Sequence, residues 1–438
     1  MGDERAVLLH QVPPAVRVPR DAPTDESQLF GVSRHSPSIS DRGGERSYPE
    51  PLKPAGSGGS RGRPGRARGL QGGGDAGKDP GESFVRDGPS LVEGGRPAWA
   101  PSPAPFTVLR SDASRIASGA RVCYSAAVRE IPLLTSRIFV GPGSLAAPGA
   151  LGASAACLLT DRNCLPYARR VENGLNAAGT PVHRIVLPPG EVQKSLATAG
   201  RIHREMAKAG LDRKSAVFAV GGGVISDLGG FVASTYMRGI SVHLFPTSLL
   251  GQVDAAIGGK TGVNLPQGKN LVGTFYQPQA VFCDPAVLKT LPPREYVSGL
   301  GEVVKYGMIR DAALFEYIGK NIEGIRSRDA EVLDEIVYRC VAIKADVVTK
   351  DEKESGERAI LNYGHTIGHA LEAAGAYKIL QHGEAVSIGM EAEAILSMEL
   401  GIAPLELLAA QNKLLKLCGL PTRVKKMPEK KVLAALKL

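Results

Sequence analysis

The sequence predicts an α/β fold: a parallel, doubly wound sheet in the first ordered half, followed by an all-helical second half. Three observations predict it. Short apolar runs alternate with helix-like stretches between residues 138 and 245, which is the pattern of a parallel sheet with crossover helices. A strand-like run, Ser215 to Val220, leads through Gly221-Gly222-Gly223 into a helix start at Val224-Ile225-Ser226-Asp227. From about Pro293 the period becomes helical, as in Gly301 to Ile309, Ala330 to Val348, Val386 to Leu400 and Leu405 to Leu417.

Taken in order, the first elements are absent. Up to about Thr107 the chain is rich in Pro, Gly, Arg and Ser, and Gly56 to Gly74 reads GSGGSRGRPGRARGLQGGG. Such a stretch buries too little apolar surface to offset its ordering entropy. Residues 1–130 are therefore expected to form a disordered, low-complexity extension. No aromatic residues interleave the arginines of that run, so nucleic acid is not an expected partner. Order is expected near Arg137, with a strand at Ile138-Phe139-Val140 and a second at Ala156 to Thr160. A helix follows to about Ala178, then a strand at Ile185-Val186-Leu187, a helix from Ser195 to Ala209, the Ser215 strand, and a strand from Ser241 to Phe245. The glycine run between Val220 and Asp227 lets backbone approach a pyrophosphate at a helix N-terminus, although Ser226 stands where the last glycine of that fingerprint would fall. Gly259-Lys260-Thr261 imitates the end of a phosphate-binding P-loop, but Asp254 occupies its first glycine position, so a P-loop is rejected. Lys269-Asn270 reads as part of a Gly-Lys-Asn turn. This density of Lys, Asn and Asp suits a phosphorylated, polyhydroxylated substrate.

The second half carries the densest chemistry. Three of the eight histidines, His365, His369 and His382, fall within eighteen positions. On one helix, His365, His369 and Glu372 share a face, and Arg358 and Asn362 extend the stripe if the helix reaches back that far. His382 sits in a turn-like Gln-His-Gly-Glu, and Glu302 and Lys305 share another helix face. This clustering points to a metal. Across all 438 residues the net charge is +9, which fits an anionic small substrate as well as nucleic acid and so decides little. Six scattered cysteines suggest free thiols in a reducing compartment. No apolar run is long enough to span a bilayer, and a secretory leader is not expected.

Together the motifs GGGVISD, Asp254 to Lys260, GKNLVG, GEVVKYG, KADVVTKDEKESGER, LNYGHTIGHALE and HGEAVSIGM, in that order, resemble the 3-dehydroquinate synthase family of sugar-phosphate cyclases from about Arg137 onward. The resemblance implies a Rossmann-like NAD-binding domain over residues 131–292 and a helical metal- and substrate-binding domain over 293–438. It implies zinc or cobalt held by Glu302, His365 and His382, three protein ligands with an open position. It places Asp161, Asn163, Glu191, Lys194, Gly221, Gly222, Gly223, Asp227, Thr247, Ser248, Lys260, Lys269 and Thr290 around NAD. Arg238, Asp254, Lys260, Asn270, Lys305, Lys344, Arg358, Asn362 and His369 would line the catalytic pocket.

The implied reaction belongs to the shikimate pathway of chorismate and aromatic amino acid biosynthesis. It converts 3-deoxy-D-arabino-heptulosonate 7-phosphate to 3-dehydroquinate and phosphate by oxidation, β-elimination, reduction and aldol closure, with NAD recycled. Another sugar-phosphate cyclase is the alternative. A homodimer, located in the cytoplasm or, in a plant or alga, the plastid, is also implied. Family members carry a hairpin before the Ile138 strand, which Arg121 to Ser136 fits loosely, and Ala255-Ala256 replace the commoner serines. They also carry an Asp-Lys-Lys and a closing strand after a segment like Val432 to Leu438. The helical domain is thus expected to be truncated, and activity impaired if that lysine is needed.

Overall fold

The apolar runs become the strands of one seven-stranded sheet. The strands are β1 (Arg129–Leu133), β2 (Ser136–Val140), β3 (Ala156–Asp161), β4 (Val182–Leu187), β5 (Ala216–Gly221), β6 (Ser241–Pro246) and β9 (Ala280–Cys283), in spatial order β1-β2-β9-β6-β5-β3-β4. Every neighbouring pair is parallel except the β1–β2 hairpin. A computed structural model describes residues 128–146, 151–424 and 427–436. Expectations for residues 1–127 lie outside the described residues.

Ordered structure begins earlier than Arg137. β1 points Ile131 and Leu133 inward and carries Pro132 at the sheet edge, where a missing amide costs least. Side-chain alternation along the strands builds two cores. Leu158, Phe218, Phe245 and Phe282 face helix α1 (Leu165–Ala177), while Leu159, Val217, Ala219 and Leu244 face α2 (Leu196–Lys208) and α3 (Gly223–Thr235).

Between β6 and β9 the chain makes a single π-helical turn, Gly251–Ala255, and a hairpin of β7 (Lys260–Leu265) and β8 (Gly268–Phe275). Gly259-Lys260-Thr261 thus opens a strand, as rejection of a P-loop requires. Lys269 and Asn270 lie within β8 and not in the turn itself. Asn270 takes φ +57° beside the register break between Val263 and Leu265.

The helical part comprises α4 (Pro293–Ile309), α5 (Ala312–Lys320), α6 (Ile322–Ser327), α7 (Ala330–Lys350), α8 (His365–Ala374), α9 (His382–Glu399), α10 (Leu405–Leu417) and α11 (Glu429–Leu436). Val303, Val304, Ile336 and Val347 join the sheet-side core that holds Leu159 and Val217, so one apolar cluster runs from sheet to helices. No helix among the described residues is long and apolar enough to cross a membrane, and the five described cysteines are free.

Candidate active site

The expected stripe from Arg358 to Glu372 is broken. Glu357–Asn362 is a 3₁₀ turn, and Gly364 in the left-handed region (φ +78°) separates it from α8. A Cβ on Gly364 would lie 2.6 Å from both Met390 Cγ and Val386 O, so glycine is required by α9 as well as by φ. His365 and His369 do share α8, with ring centroids 5.3 Å apart. His382, expected in a turn, is the first residue of α9. Gln381 and Glu384 form a reciprocal capping box around it.

Glu302 is fully buried on α4, and its Oε1 lies 3.4 Å from His365 Nε2 and 3.3 Å from His382 Nε2. The two helices that bring Glu302 to His382 cross glycine on glycine. A Cβ on Gly383 would sit 1.7 Å from Ser298 O, and one on Gly301 would sit 2.8 Å from Gly383 O. The far nitrogens of the imidazoles are oriented by acceptors: His365 Nδ1 by Tyr363 O at 3.1 Å and His382 Nδ1 by Glu372 Oε2 at 3.2 Å. That arrangement presents both Nε2 atoms to one point.

Burial would raise the Glu302 pKa, but Lys305, in ion-pair contact, and the two histidines hold it well below the usual range. Burial lowers His365 to about 4 against the pull of Glu302. Burial would also lower His382, yet the Glu302 and Glu372 carboxylates facing its two ring nitrogens raise it to about 10. The Glu302 contacts are ion-pair contacts, Oε2 with Lys305 and Oε1 with the two imidazoles, and neither oxygen accepts a well-aligned hydrogen bond among the described residues. Two imidazoles converging on one oxygen of a buried carboxylate fit a divalent transition metal. His369, Glu372 and His382 form a second close group, with Glu372 also 3.1 Å from Lys269.

A charged run leads away from this cluster. Lys344 Nζ donates to Asp254 Oδ1 and O, each at 2.6 Å, and Tyr306 OH donates to Asp254 Oδ1 at 2.9 Å. Burial lowers the Lys344 pKa. Burial would raise Asp254, but Lys344 leads the groups that hold it at about 2. Arg358 is buried. It donates to Glu352 O and to Gly258 O, while its Nε has no partner among the described residues. Lys260 pairs with Glu354, which also accepts from Asn362 Nδ2 at 2.9 Å.

The glycine loop lies beyond. Asp254 adjoins Ala255, whose Cβ would be 3.4 Å from a Cβ on Gly223. A Cβ on Gly222 would meet Ser248 Oγ at 3.3 Å. Thr247 N donates to Gly221 O at 2.9 Å. Only at Gly221 would a Cβ clash outright, 2.6 Å from Ile225 Cβ, and a glycine-lined backbone opening onto the first turn of α3 fits a dinucleotide phosphate. Asp227 on that turn pairs with Lys194. Asp161 caps the next turn by accepting from Asn163 N and Cys164 N, and the Cys164 thiol lies 3.3 Å from Thr247 Oγ1. Glu191 Oε1 accepts from Asn264 Nδ2 at 2.8 Å.

Two expected residues lie at the surface. Thr290 is exposed and contacts Tyr167 OH. Arg238 is exposed on a strained turn (φ +70°), with no side-chain partner among the described residues. Sequence reasoning missed Glu354, Tyr306 and Glu393. The Glu393 Oε2 accepts from Gly364 N at 2.7 Å, and the carboxylate faces the amides of Thr366 and Ile367, so Glu393 caps α8 from a distant helix.

Comparison with known proteins gives consistent matches. The family profile described as 3-dehydroquinate synthase N-terminal matches residues 184–298, and the one described as 3-dehydroquinate synthase C-terminal matches 299–438. The 3-dehydroquinate synthase of Thermosynechococcus vestitus is 50% identical over 260 residues, covering 59% of this chain and 71% of the relative. That of Rippkaea orientalis is 44% identical over 305 residues, covering 68% and 83%. Among solved structures, a 2-deoxy-scyllo-inosose synthase complexed with carbaglucose-6-phosphate, NAD+ and Co2+ aligns with TM-score 0.65 and 27% identity, covering 71% of this chain and 86% of that one. A 2-epi-5-epi-valiolone synthase from Streptomyces hygroscopicus with NAD+ and Zn2+ bound aligns with TM-score 0.63 and 28% identity, covering 74% and 88%.

Proposed function

The chain belongs to the 3-dehydroquinate synthase family, and from that premise we propose how its residues carry out the family reaction. It is a phosphate lyase that converts 3-deoxy-D-arabino-heptulosonate 7-phosphate to 3-dehydroquinate and inorganic phosphate, using NAD and a divalent metal. When bound, NAD and the metal supply reversible oxidation of a ring carbon and Lewis-acid polarisation of neighbouring hydroxyls. One observation carries the reading. The glycine loop lies beside Ala255, and from there half-buried Asp254 leads to Lys344 and Tyr306, whose ring faces the Lys305 ammonium at 5.0 Å, and Lys305 meets the buried Glu302 of the Glu-His-His cluster.

In this proposal Glu302, His365 and His382 hold the metal, with Tyr363 O and Glu372 fixing the two rings. The Gly221–Gly223 amides meet the pyrophosphate, and Asp161, Glu191, Lys194 and Asp227 meet the rest of the dinucleotide. Arg358, whose buried Nε has no partner among the described residues, and Lys260 supply positive charge for the substrate's anionic groups. Lys344, lowered by burial, is a readier proton donor than an exposed lysine. Asn270, Asn362, Lys305 and His369 complete the polar wall. The division into a cofactor part (131–292) and a metal part (293–438), a homodimeric state and a cytoplasmic or plastid location belong to the same proposal.

The test is incubation of the protein with the heptulosonate phosphate, NAD and zinc or cobalt, followed by identification of the product, alongside His382→Ala. The expected product is 3-dehydroquinate, lost together with bound metal in the variant. A different carbocycle would make the chain another cyclase, and full metal occupancy in His382→Ala would remove that residue from the ligand set.

A further inference from the structure

One side chain that this reading leaves unused joins its two halves. Asn264 lies near the end of β7. Its Nδ2 donates to Glu191 Oε1 at 2.8 Å, and its Oδ1 accepts from Asn270 N at 2.9 Å. Its own amide donates to Lys194 O at 2.8 Å, and it forms an isolated parallel bridge with Ser195. Glu191 and Lys194 belong to the loop assigned to the cofactor. Lys269 and Asn270 belong to the hairpin arm assigned to cofactor and substrate.

The hairpin needs such a tie at this point. Its strand register breaks between Val263 and Leu265, and Asn270 takes a left-handed φ of +57°, which asparagine tolerates better than other non-glycine residues and which the bond from its amide to Asn264 fixes in place. An asparagine serving the hairpin alone would need only the bond to Asn270. The bond to Glu191, seventy-three positions away in sequence, has no part in the local turn.

We propose that Asn264 is a positioning residue that couples the cofactor loop to the substrate hairpin, so that NAD and the phosphorylated sugar acid each strengthen the binding of the other. The proposal rests on the assignment of residues 191–194 to the cofactor and of Asn270 to the substrate. A ligand that orders one arm lowers the ordering cost left for the other, and the resulting cooperativity is reciprocal.

The experiment measures the NAD dissociation constant of the zinc-loaded full chain with and without the phosphonate analogue of the substrate, whose C–P bond cannot eliminate. In the wild type the analogue should tighten NAD binding about tenfold, within the usual range of coupling between sites. In Asn264→Ala that ratio should approach one. Asn264→Asp keeps the acceptor for Asn270 and sets a carboxylate against Glu191, so it should also lose the coupling. Adding Glu191→Gln to it reverses donor and acceptor and should restore the ratio, whatever its direct effect on NAD affinity. If Asn264→Ala does not fold, the Asp variant and its rescue decide the matter. Wild-type coupling retained in these variants, or independent binding of the two ligands in the wild type, would overturn this proposal alone. Failure of the wild type to bind either ligand would overturn the functional reading as well.

Discussion

Replacing Gly383 with alanine should disable the proposed metal centre while changing none of its proposed ligands. The new Cβ would lie 1.7 Å from Ser298 O, 2.6 Å from Ser298 C and 3.0 Å from its Cα. These are backbone atoms of α4, so no rotamer change relieves the clash. Moving from 1.7 Å to the 3.0 Å floor for real Cβ contacts requires α9 and α4 to part by about 1.3 Å. Glu302 and His382 ride on those two helices, one on each side of the crossing. A shift of that size is several times the ~0.2 Å tolerance of metal–ligand distances. Overpacking of this kind costs roughly 1–3 kcal/mol of stability, and we expect zinc or cobalt affinity to fall by roughly 10–100-fold. Metal affinity by chelator competition, with melting temperature and NAD affinity on the same sample, separates the effects. A folded Gly383→Ala protein with wild-type metal affinity would refute the helix-crossing argument.

Three further outcomes follow from the same geometry. Glu393→Ala removes the distant cap of α8 and should cost about 1 kcal/mol of stability, whereas Glu393→Gln, which keeps an acceptor for Gly364 N, should recover most of it in denaturant titrations. The paired carboxylates keep His382 protonated to about 10 in the metal-free site. Metal binding at neutral pH should therefore release a proton, and affinity should rise about tenfold per pH unit below that value. Calorimetry in buffers of different ionisation enthalpy reads the proton directly, and no buffer dependence would contradict the assignment. Lys344→Ala leaves the Asp254 carboxylate without its ammonium partner and should lower kcat/KM by roughly 2–5 kcal/mol; a change under threefold would exclude Lys344 from the chemistry.

Much of the candidate site was legible as a cluster because its residues lie in short, dense segments. His365 and His369 at helical spacing, and Glu302 with Lys305, needed only the period of a helix. The glycine turn after the Ser215 run needed only strand, turn and helix start. What was not legible depends on partners far away in sequence. Gly364 ends the helical stripe because Val386 and Met390 crowd it from α9. Local pattern alone therefore extended the stripe to Asn362 and Arg358, which instead lie on a 3₁₀ turn. Glu354 is recruited by Lys260 across ninety-four positions, Tyr306 by Asp254 across fifty-two and Glu393 by Gly364 across twenty-nine. The helical start at His382 did carry a local signal, since Gln381 and Glu384 have the spacing of a capping box. The early start of order at β1 was hidden by Pro132, which sits at an edge and interrupts the apolar alternation.

The most direct measurement follows inorganic phosphate and NADH together in one reaction of the metal-loaded chain with NAD and 3-deoxy-D-arabino-heptulosonate 7-phosphate. A hydride removed early and returned later predicts phosphate accumulating over many turnovers while NADH never exceeds the enzyme present. NADH rising in step with turnover and no phosphate released would contradict the account.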